Sequence, residues 1–143
     1  MGDGDDSIFS SLGADEFHGG GGDDNIQAAG SNSLIFGDDG DDFLTLGTGD
    51  GFQTGSTAFG GDGNDGLSLF FSGGDAANTL NGGAGDDSFD VINGGIGDFF
   101  TIIGGTGNDR FVLSAPDINQ DISFTASATE TAFFTATGFA TMG

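Results

Sequence analysis

The chain has no cysteine, tryptophan or tyrosine, one proline, one histidine and a single basic residue, Arg110. Without cysteine there can be no disulfide staple and no thiolate zinc site. With one cation along the whole sequence, the basic footprint that nucleic acid requires is missing. So is the polybasic cluster of an electrostatic membrane anchor. No apolar run approaches the ~20 residues of a transmembrane helix. The first residues, MGDGDDSIF, are acidic and polar, unlike the start of a secretory signal peptide.

What is present pulls in two directions. Among 143 residues, 23 are Asp or Glu, giving a formal net charge of −22. Self-repulsion on that scale opposes compaction and ordinarily accompanies disorder. Yet 16 phenylalanines are too much apolar surface for a solvating tail. The two facts agree if a cation neutralises the aspartates in the folded state, and a metal ion is the candidate. Glycine, at 31 residues, is also far above the roughly 7% of average usage.

Internal repetition organises these residues. Residues 19–27 read GGGGDDNIQ, 60–68 GGDGNDGLS, 82–90 GGAGDDSFD and 104–112 GGTGNDRFV. Each fits Gly-Gly-x-Gly-x-Asp-x-U-x, where U is a large apolar residue. Residues 1–9, 37–45 (GDDGDDFLT) and 73–81 (GGDAANTLN) fit with small departures. Others are degraded: 10–18 (SSLGADEFH), 28–36 (AAGSNSLIF), the drifting stretch 45–59, and 92–101 with Asp98 ahead of Phe100. An insertion, LFFS, lengthens the span between Leu67 and Leu80. Such irregularities are expected to mark weak or missing metal sites and a bulged turn.

The pattern has a physical reading of its own. Closely spaced glycines supply the φ > 0 conformations of a tight turn. The turn directs backbone carbonyls inward and the aspartate adds a carboxylate, an all-oxygen set that suits Ca²⁺. The x-U-x tripeptide is a short strand with one side chain facing in. One inward apolar residue in nine must offset the ordering of nine residues, many of them glycine. The metal-free chain is therefore expected to be unfolded, with calcium binding supplying the folding free energy.

Over about residues 1–112 the chain resembles the RTX (repeats-in-toxin) calcium-binding proteins. The resemblance implies an all-β, right-handed parallel β-roll, a β-solenoid in which two nonapeptides complete one coil and ions sit between stacked turns. It implies metal ligands at Asp6, Asp15, Asp24, Asp42, Asp50, Asp65, Asp87, Asp98 and Asp109, with Asn32 and Asn78 as weaker substitutes. Backbone carbonyls at Gly20, Gly22, Gly61, Gly63, Gly83, Gly85, Gly105 and Gly107 would complete the cages, for multiple calcium ions.

From residue 113 to 143 the glycine pattern stops and Thr, Ala and Phe dominate. Partial alternation at Ile122, Phe124, Ala126 and Ala128 suggests a strand. This segment is expected to be a β-rich cap, an assembly arm or the C-terminal signal that type I secretion machinery reads in RTX proteins. With a repeat beginning at the first residue, an open N-terminal sheet edge is expected too. Phe9, Phe43, Phe70 and Phe99 flank U positions and should face outward.

His18 has no candidate nucleophile beside it, so no catalytic triad is expected and the chain reads as non-enzymatic. Arg110 is expected to neutralise nearby carboxylates. The function expected is an extracellular or cell-surface structural protein that folds on calcium and self-assembles head to tail as a homo-oligomer or polymer. The alternatives are a calcium-binding module of a larger exoprotein, or an adhesive or ice-binding solenoid. The last lacks a regular threonine at the third repeat position.

Overall fold

A computed structural model describes residues 2–47, 54–71, 77–93, 99–114, 121–125 and 133–137. Among the described residues there are only strands and turns, and every strand pairing is parallel. The strands are β1 (Ser7–Ser10), β2 (Glu16–Gly21), β3 (Asn25–Ala28), β4 (Leu34–Asp39), β5 (Phe43–Leu46), β6 (Thr57–Asp62) and β7 (Gly66–Phe71). They continue as β8 (Ala77–Ala84), β9 (Ser88–Asn93), β10 (Phe99–Thr106), β11 (Arg110–Ser114), β12 (Asp121–Thr125) and β13 (Phe133–Thr137). Odd-numbered strands form a seven-stranded sheet in sequence order, and even-numbered strands form a six-stranded sheet. The chain thus alternates between two parallel sheets, the arrangement of a β-solenoid.

Alternation along each strand sends one set of side chains between the sheets. Ile26, Leu44, Leu67, Phe89 and Phe111 face in from the seven-stranded sheet, opposite Ile35, Ala58, Leu80 and Ile102. All are buried, and the rings of Phe89 and Phe111 stack with centroids 4.9 Å apart. Ile8 and Phe17, nearest the N-terminal end, are only partly buried against this core. The core holds more than the one inward apolar residue in nine that was expected: Ala28, Leu46, Leu69, Val91 and Leu113 are buried too, two positions beyond the first set in the seven-stranded sheet.

The sequence pattern left the register of three strands open. Ile35 faces the core in β4 and Ala58 in β6, while in β10 both Phe100, as expected, and Ile102 face in, with Ile102 paired to Leu80. In each case two or three consecutive apolar residues made the inward one ambiguous, and pairing with the neighbouring strand decides it. Phe36 and Phe59 consequently point outward, where Phe36 stacks between His18 and Phe59 at 4.4 and 5.0 Å. Phe9 and Phe43 are exposed, as expected, and Phe70 is half-buried. The Phe99 side chain lies outside the description.

The C-terminal segment continues both sheets. The boundary expected between residues 112 and 113 falls inside β11, β12 pairs with β10, and β13 pairs with β11. In register, Phe134 follows Phe111 and Phe124 follows Ile102.

Candidate metal centres

The connections on one edge of the roll, from the six-stranded to the seven-stranded sheet, carry the full repeat. Among the described residues they comprise 2–6, 19–24, 37–42, 60–65, 82–87 and 104–109. Their sixth positions form a single column: Asp6, Asp24, Asp42, Asp65, Asp87 and Asp109. Each Oδ1 accepts the backbone N–H of the aspartate one coil earlier, at 2.7 Å for Asp24 with Asp6 and 2.8–2.9 Å along the rest of the column. The carboxylates are thereby stacked turn upon turn and held in one orientation.

The other oxygen of each carboxylate is the telling one. Oδ2 of Asp24, Asp42, Asp65 and Asp87 is buried and accepts no hydrogen bond. A buried oxygen of this kind is costly unless something outside the protein's own donors satisfies it. Each points at the first glycine of its own turn. A Cβ on Gly19 would lie 2.0 Å from Asp24 Oδ2 and 2.5 Å from the Gly37 carbonyl oxygen of the next coil. The same pair of contacts recurs at Gly37, Gly60 and Gly82, where Asp87 Oδ2 and the Gly104 oxygen converge at 2.0 and 2.6 Å. Two oxygens therefore meet, coil after coil, where only a missing side chain leaves room.

This arrangement fits calcium. The donors are all oxygen, hard and partly anionic, and come in a flexible mixture of carboxylate and carbonyl. Among the described residues no three His, Cys, Asp or Glu side chains converge, so carbonyls must supply much of any coordination shell. The first-position carbonyls of Gly37, Gly60, Gly82 and Gly104 were not anticipated. Their signal was the presence of glycine at position one in all five turns from 19–24 onward, although position two admits Asp38. The anticipated Gly20, Gly22, Gly61, Gly63, Gly83, Gly85, Gly105 and Gly107 all have positive φ and form the turn wall. Gly85 shows why: its φ is 140°, and the Gly63 oxygen would sit 1.8 Å from a Cβ there.

A second ladder runs beside the first in the opposite sense. Oδ1 of Asp5, Asp23, Asp41, Asn64 and Asp86 accepts the backbone N–H of the fifth residue one coil later, at 2.7–3.1 Å. Asn64 and Asn108 replace aspartate here and keep the hydrogen bond while removing a charge. This role of the paired aspartates was also not anticipated.

The remaining expected ligands lie elsewhere. Asp15 and Asn78 are on the opposite edge, where Asp15 Oδ2 accepts the Ser10 hydroxyl and Asn78 Oδ1 accepts the Ser56 N–H at 3.0 Å. Asn32 is exposed with φ 60°, and Ser33 holds the column position instead. Asp50 and Asp98 lie outside the described residues. His18 contacts Asp38 Oδ2 at 3.1 Å and Glu16 Oε1 at 3.4 Å, all three being substantially exposed. Arg110 is exposed and forms no contact ion pair among the described residues.

Burial pushes the Asp42 carboxyl up from 3.8 to about 6, against the lowering effect of the Asp24 N–H, with Asp65, Asp24 and Asp23 raising it further. Asp87 rises to about 7 for the same leading reason, and Asp65 is raised too. A folded-state pKa above the unfolded value favours folding fully below about 3.8 and loses that contribution as pH rises through about 6 to 7. Calcium-stripped protein should therefore gain β structure as pH falls from 8 to 5.5. The calcium midpoint for folding should move little above pH 6, because neither the unfolded chain nor the ion-loaded roll holds those protons. Circular dichroism of stripped protein across this range checks both; structure that declines on acidification would contradict the burial of these carboxyls.

Comparison with known proteins agrees with this geometry. The family model for the RTX calcium-binding nonapeptide repeat (4 copies) matches residues 2–26, 18–52 and 101–114. The turns at 60–65 and 82–87 lie outside the matched segments but occupy the same columns. No curated protein and no solved structure matches the chain.

Proposed function

The chain carries RTX calcium-binding nonapeptide repeats folded as a β-roll, and from that premise we propose an extracellular, non-enzymatic structural protein that folds on calcium and assembles end to end. In this reading Asp24, Asp42, Asp65, Asp87 and Asp109, with the carbonyls of the adjoining turns, hold calcium ions between coils. Asp6 begins the row. The ion neutralises a column of carboxylates that would otherwise repel at van der Waals range. Inside a cell, where free calcium is scarce, the chain stays unfolded and passes through type I secretion machinery, with residues 113–143 as the signal. Outside, calcium closes the roll, and the same residues become its last coil.

One observation supports assembly above the rest. The outermost strands, β1 and β2 at one end and β12 and β13 at the other, each pair with a single strand among the described residues, and β2 is covered on its outer side only at Gly21, by the Gly2–Asp3 segment. Such edges carry backbone groups ready to pair with another parallel strand. Stacking one copy's first coil on another's last is a heterologous contact and repeats without closing. Phe9 and Leu12, 69% and 85% exposed near the first coil, add apolar surface at that end.

Electron microscopy of purified protein in millimolar calcium, then in chelator, tests the proposal. Filaments or sheets that dissolve on chelation are expected. A calcium-loaded monomer at high concentration would overturn assembly and favour a module that aids the folding of a larger exoprotein.

A further inference from the structure

A β-roll has two edges, and the sites described above occupy one. The column on the opposite edge begins with Asp15, whose Oδ2 accepts the Ser10 hydroxyl and whose N–H donates to Ser33 Oγ at 3.4 Å. Beyond it Ser33, Ser56, Asn78 and Phe100 hold the positions that Asp24, Asp42, Asp65 and Asp87 hold on the first edge. They are joined by neutral hydrogen bonds: Ser33 N–H to Ser56 Oγ at 3.0 Å and Ser56 N–H to Asn78 Oδ1 at 3.0 Å. Phe100 is 2% exposed and part of the apolar core. Neither edge shares the other's chemistry.

The difference extends to the cradle itself. Two residues beyond each inward apolar residue, the strand points a side chain back into the roll. On the calcium edge that residue is Gly19, Gly37, Gly60, Gly82 or Gly104. On the opposite edge it is Ala28, Leu46, Leu69, Val91 or Leu113, each at most 6% exposed and packed in the core. Hydrocarbon fills the space in which oxygens converge on the first edge. Among the described residues no orphaned carboxylate oxygen belongs to this edge's column.

Turn length carries the same message. From first to sixth position, the calcium-edge turns 19–24, 37–42, 60–65, 82–87 and 104–109 each take six residues. The opposite turns run from Ala28 to Ser33, Leu46 to Ser56, Leu69 to Asn78 and Val91 to Phe100, so their length varies. An ion shared between adjacent turns requires them to superimpose; a turn that holds no ion can lengthen freely.

We infer that calcium binds along one edge only, and that a seam of hydroxyl, amide and apolar side chains, begun by the hydroxyl-bonded Asp15, closes the other without metal. This rests on the calcium reading above and narrows it: the six described turns leave five gaps between coils, hence about five ions along them rather than about ten. The seam locks the roll at fixed cost in charge, while the ion row alone responds to calcium.

Native mass spectrometry and titration calorimetry of the full chain count the ions. About five support the inference. About ten would overturn it while leaving the calcium reading intact, and none would overturn both. Asn78→Asp supplies a second arm. On a seam without metal it adds a buried carboxylate, so the ion count stays unchanged and the calcium midpoint for folding rises several-fold. An added ion, or folding at lower calcium, would overturn the one-edge arrangement.

Discussion

Gly82→Ala is expected to lower the folding equilibrium constant at fixed calcium by about ten- to a hundredfold. Gly82 is buried, and its φ lies outside the left-handed range, so alanine brings no backbone strain there. What the methyl group meets is Asp87 Oδ2 at 2.0 Å and the Gly104 oxygen at 2.6 Å. Those oxygens must separate, and with them the site they frame. Overpacking alone costs about 1–3 kcal/mol, and each 1.4 kcal/mol is about tenfold in the equilibrium constant. Loss of an ion comes on top. Gly21→Ala provides the control, since the nearest atom to its Cβ would be Asp3 Cα at 4.0 Å. That substitution should be neutral, or stabilise by about 0.4–1 kcal/mol through the unfolded state. Calcium titrations followed by circular dichroism distinguish the two; equal effects would show that the first-position glycine has no role in the site.

Asp65→Ala should be nearly as damaging, and for two separable reasons. It removes a carboxylate from the ion row, and it deprives the Asp42 N–H of its acceptor, a 2.9 Å bond at a buried site. An unsatisfied buried donor alone costs about 1–3 kcal/mol. Asp65→Asn retains an oxygen for that bond and loses the charge. The asparagine variant should therefore fold at lower calcium than the alanine variant, while both bind fewer ions than the parent chain. If the two variants were indistinguishable, the backbone ladder would contribute nothing measurable.

The calcium edge was legible in the sequence because every position in it is constrained separately. Gly82 must lack a side chain, Gly85 must take positive φ, and Asp87 must offer one oxygen to a backbone donor and one to the cradle. Few residue types satisfy each demand, and the turn cannot change length. The opposite edge asks much less. Any residue that caps one N–H or fills hydrocarbon space serves, so Ser33, Ser56, Asn78 and Phe100 share no visible signature. Asn32 attracted attention as the nearest oxygen-bearing amide, but the run Leu34-Ile35-Phe36 concealed which residue faced the core. The alternation at Ile122 and Phe124 announced strand β12, but not that β12 and β13 add a further coil to the roll. The strands of that coil follow the register of β10 and β11 without the glycines that announced every earlier turn.

The two ladders also change how the charge of the chain is understood. Composition alone suggested that aspartate repulsion is simply cancelled by metal. In the fold, each aspartate pair is divided between tasks. The fifth-position residue ties its turn to the following coil through an exposed oxygen, and the sixth ties it to the preceding coil while presenting its second oxygen inward. Much of the spacing between turns is thus set by backbone donors. The ion's part is to make the buried half of that arrangement tolerable at neutral pH.

Far-ultraviolet circular dichroism of the stripped chain at pH 7.5, before and after calcium addition, tests the central claim most directly. A largely unordered spectrum that converts to β structure on adding calcium, and reverts with chelator, is the predicted result. A β spectrum of equal strength in calcium-free protein would contradict the claim that the ion row completes the fold.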